Sequence, residues 1–129
     1  MPVDYYNRVN SELLALIPPD AGLVVEVGCG AGALGEAYRR INPSCRYVGI
    51  ELNREAAERA ASRLSAVRTG DAETLDLGED NIDCLVYGDV LEHMADPWAT
   101  LARHAARLRD GGQVVAQPGG PARTPLKVA

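Results

Sequence analysis

The chain has 129 residues, a net charge of −5 and an apolar fraction of 47%, with aromatics at only 5% and no Phe. That is the size of one domain, and its core must be built from Val, Leu, Ile and Ala. The acidic balance argues against a nucleic-acid binder, no apolar run approaches the roughly 18 residues of a membrane span, and three scattered cysteines give neither a disulfide framework nor a zinc site, so a cytoplasmic protein is expected.

Apolar residues at Tyr5, Tyr6, Val9, Leu13, Leu14 and Ile17 recur with helical spacing, which predicts an N-terminal helix over 4–17 stopped by Pro18-Pro19. "LVVEVG" (23–28) reads as a buried parallel strand, interrupted by Glu26. A glycine loop follows, then a helix over 33–41 with Leu34, Ala37, Tyr38 and Ile41 on one face. "RYVGIE" (46–51) is the second strand, and Asn53 is placed to cap a helix whose stripe is Ala56, Ala57, Ala60, Ala61 and Leu64. "AVRTGDAETLDL" (66–77) reads as a short strand running into a polar loop, and "IDCLVYGD" (82–89) as the fourth strand. Asp96-Pro97 opens a helix with Trp98, Leu101, Ala102, Ala105 and Leu108 inward, ending at Asp110-Gly111-Gly112 before a fifth strand, "QVVAQ" (113–117).

Alternating strands and helices predict an α/β fold: a doubly wound, mostly parallel sheet of about five strands, with ligands beyond the strands' carboxyl ends. One domain over 1–117 is expected, followed by an irregular or disordered tail over 118–129, rich in Pro and Gly.

The loop spells Gly30-Ala31-Gly32-Ala33-Leu34-Gly35, the G-x-G-x-x-G of a dinucleotide-binding turn, and Glu51 lies 21 positions beyond Gly30, where an acid would hold a ribose. Glu26 does not fit that pattern. A carboxylate two residues before Gly28 repels a pyrophosphate but suits a cationic ammonium group, so a ligand with a cationic amino-acid end and a nucleoside end satisfies both acids.

Five segments in order, "EVGCGAG" (26–32), "GIELN" (49–53), "GDAETL" (70–75), "YGDVLEHMADP" (87–97) and "LRDGGQVV" (108–115), resemble a class I S-adenosylmethionine-dependent methyltransferase over roughly residues 22–117. The D-V-L-E-H variant is similar to bacterial small-molecule enzymes of that family. The resemblance implies a Rossmann-like core with S-adenosylmethionine as cofactor and S-adenosylhomocysteine as product. It implies that Glu26, Gly28, Gly30 and Gly32 surround the methionyl part, and that Glu51 binds the ribose hydroxyls. Leu52 would pack on adenine, Asp71 take its amino group with the Ala72 backbone beside it, and Gly88 and Asp89 line the sulfonium end. Tyr5 and Tyr6 would either form a lid over the cofactor or pack the first helix onto the sheet.

The reaction implied is in-line methyl transfer to a small-molecule acceptor, with proximity supplying most of the rate. His93, just past the fourth strand, is the leading general base because an ordinary imidazole titrates near neutrality; Glu92 and Asp89 follow it. Two other functions stay open: a truncated or inactive cofactor-binding module, and an NAD(P)-dependent oxidoreductase. The family's usual antiparallel hairpin after the fifth strand is expected to be missing. The bare edge would then pair with a second copy as a homodimer, the competing outcome being a tail folded back over it.

Overall fold

The computed structural model describes residues 9–117 and the backbone of 126–128. Its six strands stand in the order β3-β2-β1-β4-β5-β6: β1 (Leu23–Val27), β2 (Arg46–Glu51), β3 (Ala66–Thr69), β4 (Ile82–Tyr87), β5 (Leu108–Ala116) and β6 (Leu126–Val128). The first five run parallel and β6 runs antiparallel to β5. Among the described residues the helices are α1 (Ser11–Leu16), α2 (Ala33–Ile41), α3 (Arg54–Ala61) and α4 (Pro97–Ala105), with a single 3-10 turn at Leu91–His93.

β1 is central because both of its edges and both of its faces are covered. Val25 and Val27 point into one core with Val48, Ile50, Leu85 and Tyr87, while Val24 points into the other with Tyr38, Tyr47, Leu64 and Cys84. Each such aliphatic side chain taken from water stabilises the fold by about 1.5–3 kcal/mol. The first core is roofed by the chain leaving β3, through Ala72, Leu75 and Leu77, and by Leu101 of α4; the second lies under α1 and α2.

The third glycine of the loop motif is required by packing. A Cβ at Gly35 would come within 2.3 Å of a Leu64 methyl and 2.5 Å of the Tyr47 ring, so α2 reaches the sheet only because the position carries no side chain.

At the strands' amino ends, Asp83 of β4 accepts hydrogen bonds from the Gly22 and Leu23 N–H groups at 2.9 and 2.7 Å and from the Arg109 guanidinium. One carboxylate thereby joins the starts of β1, β4 and β5.

Several expectations are corrected. Among the described residues the N-terminal helix covers Ser11–Leu16, because Asn10 leaves the helical conformation to cap the Leu13 N–H at 3.0 Å; the expected first part, with Tyr5 and Tyr6, lies outside the described residues. Ile41 and Ala61 are exposed, not part of the buried stripes. α4 is rotated from its expected face: Trp98 is 79% exposed, Ala102 and Ala105 are exposed, and the buried residues are Thr100 and His104. The cause is polar, since His104 is held between the Tyr87 hydroxyl and the Ala72 carbonyl, partners that an alanine face could not satisfy. Asp110-Gly111-Gly112 does not end α4. It forms a bulge inside β5, between the Ile82–Leu108 and Cys84–Gln113 pairs.

The tail expected to be irregular contributes β6, whose residues follow the last proline and keep their N–H groups for pairing. Val128, Lys127 and Leu126 face Val114, Val115 and Ala116, so this part of the β5 edge, expected to be bare and open to a second copy, is covered by the chain itself.

Candidate functional site

The ligand end of the sheet is built from the turn after each of β1, β2, β3 and β4. After β1 the chain stays bonded to β2, with the Gly28 and Cys29 N–H groups both donating to the Ile50 carbonyl, at 2.8 and 3.1 Å. Gly28 takes a φ of +78°, and a Cβ there would meet Val90 at 3.0 Å, so the turn needs a glycine both for its conformation and for its neighbour. Cys29 is buried; desolvation pushes its thiol far above the ordinary range, which makes it an inert filler.

The acids expected at this edge occupy three neighbouring strands. Glu51, at the end of β2, accepts from the Gly30 N–H at 2.8 Å through one oxygen and from the Asn53 N–H at 2.9 Å through the other. It holds the glycine loop in shape, and a carboxylate with about four acceptor positions has capacity left for further donors. Leu52 beside it is 71% exposed, a large apolar surface presented to solvent. Asp71, past the end of β3, is exposed and accepts from the Glu73 N–H at 2.9 Å.

Glu26, on β1, is only 4% exposed, and its Oε1 accepts from the Tyr47 hydroxyl at 2.7 Å. Burial pushes its carboxyl up to about 7; the Tyr47 hydrogen bond works against that rise and the neighbouring Glu51 charge adds to it. Glu26 therefore lies beneath the loop as a group that titrates near neutrality. Sequence reasoning missed Tyr47, although strand pairing contains the signal. Glu26 stands opposite Gly49, and Tyr47, Gly49 and Glu51 alternate onto the same face of β2.

Gly88 and Asp89, expected within the fourth strand, lie just beyond its end and are half-buried. A Cβ on Gly88 would stand 3.8 Å from the Gly28 carbonyl, so the turns after β1 and β4 are adjacent. His93, the expected general base, closes the 3-10 turn. Its side chain is 75% exposed, with Glu92 at 3.6 Å.

A second layer of polar residues was not foreseen. His104 approaches the Tyr87 hydroxyl through Nδ1 at 2.7 Å and the Ala72 carbonyl through Nε2 at 3.1 Å; with Nε2 as the donor, Nδ1 accepts from Tyr87. Burial holds its pKa below the ordinary value, so the ring is neutral at pH 7. Arg103 donates to the carbonyls of Ala72, Glu73 and Leu75 at 2.9, 2.7 and 3.1 Å. The Glu73 carboxylate accepts from the Ala95 and Asp96 N–H groups, both at 3.0 Å. Lone polar residues in a polar loop and on a helix give no periodic signal, which is why they escaped notice.

Among the described residues no cluster of His, Cys, Asp and Glu could hold a metal ion, and no helix is long and apolar enough to cross a membrane.

Comparison with known proteins identifies the family and the fold. A family model for the methyltransferase domain matches residues 25–114. The chain is 36% identical over 116 residues to an uncharacterized 37.1 kDa protein in transposon TN4556 of Streptomyces fradiae, covering 85% of this chain and 33% of that protein. It is 33% identical over 105 residues to a ubiquinone biosynthesis O-methyltransferase of Nitrobacter winogradskyi, covering 74% of this chain and 38% of the enzyme. It thus spans about a third of the length of these relatives. The fold matches that of the plantazolicin methyltransferase BpumL in complex with SAH, with a TM-score of 0.71 at 16% identity, over 84% of this chain and 43% of that one. On the family match, the sequence relatives and the shared sheet, the chain belongs to the methyltransferase-domain family, within the class I S-adenosylmethionine-dependent methyltransferases.

Proposed function

We propose that the chain binds S-adenosylmethionine and acts in methyl transfer to a small-molecule acceptor. The observation that carries this reading is the row of acids Glu26, Glu51 and Asp71 along the carboxyl edge of β1, β2 and β3, with exposed Leu52 between the last two. A row of carboxylates suits an ammonium, two ribose hydroxyls and an exocyclic amine in turn; it does not suit the pyrophosphate of a nicotinamide cofactor.

In this reading Gly28, Gly30 and Gly32 enclose the methionyl end above Glu26, Glu51 takes the ribose, and Leu52 covers one face of the adenine. Asp71 takes the adenine amino group. The Ala72 carbonyl is engaged by α4, so its N–H is the group that meets the base edge. Gly88 and Asp89 line the sulfonium end. The cofactor supplies an already activated methyl group, so the protein's part is to align donor and acceptor in line and to exclude water. His93, exposed beside this end, would take the proton from an acceptor hydroxyl or amine.

A second reading, cofactor binding without turnover, is favoured by one observation: the His93 side chain is 75% exposed, with the Glu92 carboxylate beside it at 3.6 Å, so its ring is not held in a buried, fixed geometry. Calorimetry with S-adenosylhomocysteine, S-adenosylmethionine and NADH tests the first reading. Micromolar binding of the sulfur nucleosides without NADH binding is expected, and the reverse would end it. Radiolabelled methyl transfer to a panel of hydroxylated and amine acceptors then separates turnover from binding alone.

A further inference from the structure

We propose that Glu73 and Arg103 are positioning residues that couple the adenine-facing turn to the turn carrying His93, so that cofactor binding stiffens the acceptor side. This rests on the cofactor reading given above.

The two turns leave strands that are not neighbours, since β2 and β1 stand between β3 and β4. Nothing in the strand order brings them together. They meet because the chain after β3 has no helix of its own and crosses the face of Val25, Val48 and Leu85, where α4 also packs through Leu101. The contact is reciprocal. From α4, the Arg103 guanidinium donates to three carbonyls of the turn 72–75, which its own Thr74 and Leu75 N–H groups close onto the Asp71 carbonyl at 3.0 and 2.8 Å. From the turn, the Glu73 carboxylate accepts from Ala95 and Asp96, immediately before α4. A carboxylate is also favoured at this place by the helix dipole.

A short path of bonds joins the two functions. The Asp71 carboxylate accepts from the Glu73 N–H, the Glu73 carboxylate accepts from Ala95 and Asp96, and the 3-10 turn ends at His93, two residues before Ala95. A ligand that engages Asp71 draws on the acceptor already bonded to the Glu73 backbone. The turn then adjusts as a unit because Arg103 holds its carbonyls, and the far end of that unit is the support of Ala95 and Asp96. A plain structural brace would hold the acceptor turn equally with and without cofactor; a coupling element holds it better with cofactor.

The test is amide hydrogen exchange of the full chain, with and without S-adenosylhomocysteine, for the wild type, Glu73→Gln and Glu73→Asp. Glutamine presents one acceptor and an NH2 where two are needed, and aspartate is one methylene too short to span the gap. For the wild type, ligand is expected to slow exchange at least fivefold both at 71–75 and at 90–96. For the Glu73 variants, ligand still slows exchange at 71–75 and its effect at 90–96 is lost, with affinity changed no more than about fivefold. Arg103→Lys is expected to weaken ligand protection of both turns. Equal ligand-induced slowing at 90–96 in wild type and both variants overturns the coupling. So does a rise in Ala95 and Asp96 exchange by one factor with and without ligand, the signature of a brace. Absence of S-adenosylhomocysteine binding to the wild type in calorimetry overturns the cofactor reading itself and the coupling with it, a result distinct from binding without coupling.

Discussion

The two halves of the ligand edge are built on opposite principles. On the β1–β2 side the backbone supplies the shape: N–H groups of Gly28, Cys29, Gly30 and Asn53 are bonded to Ile50 and Glu51, and the one buried acid is paired with Tyr47. On the β4 side the visible surface is loose, with His93 in a single exposed turn and Trp98 in the open, and order is imposed by side chains, by His104 from within and by Arg103 and Glu73 at the surface. A site of the first kind recognises one ligand by fixed geometry. The second kind leaves a surface that can change its residues without disturbing the sheet.

The largest effect should come from the support under the looser half. His104→Ala leaves the Tyr87 hydroxyl and one of the bonds to the Ala72 carbonyl unmade and opens a cavity, and is expected to destabilise the fold by about 3–5 kcal/mol in urea denaturation. A loss under 1 kcal/mol would mean that the acceptor side supports itself.

On the other half, Glu26→Gln should stabilise. Its carboxyl is raised in the folded state from 4.5 to about 7, so the native form binds the extra proton between those values, and stability falls as pH rises from about 4.5 to 7 and is level above. The ionised form costs about 3 kcal/mol there, part of which the amide recovers. Chemical denaturation across pH 4.5–8 should show that fall missing in the variant. His104 contributes with the opposite sign, since its lowered pKa withdraws stability as pH falls below about 6.5. The wild-type profile is therefore the difference of two slopes, and Glu26→Gln exposes the histidine's alone.

Glu51→Ala removes an acceptor from two backbone donors and from the ribose of the proposed cofactor. Binding of S-adenosylhomocysteine should weaken by about 1.5–3 kcal/mol in calorimetry, with a smaller loss of stability. An unchanged dissociation constant would leave Glu51 as a scaffold for the loop and nothing more. The smallest effect is expected at Trp98→Ser, within about 0.5 kcal/mol of wild-type stability, because an exposed side chain has little packing to lose. A larger loss would mean that the outer face of α4 is covered in the working protein.

What the sequence made legible follows from periodicity and from turn chemistry. β1, α2, β2 and the Asn53 and Asp96 caps could be read closely, because short β-branched runs, a glycine loop and capping residues each have one cheap conformation. The face of α4 could not, because an alanine-rich helix has several apolar stripes and the choice fell to one histidine with two polar partners. β6 was hidden for a different reason: three residues carry no pattern, and their strand exists only because β5 offers an edge. The acids of the candidate site were legible as positions, while the burial of Glu26 and its tyrosine partner depend on strand pairing, which no single segment contains.

Asp83 gives the sheet a mechanical asymmetry. By bonding Gly22, Leu23 and Arg109 it rivets three strands at the end remote from the ligand, and these bonds, with the guanidinium charge, hold its carboxyl below the ordinary range despite partial burial. The alignment of β1, β4 and β5 is thus secured at the opposite margin from the turns after β1 and β4. Residues in those turns can be exchanged without touching the bonds that hold the three strands in step at their amino ends.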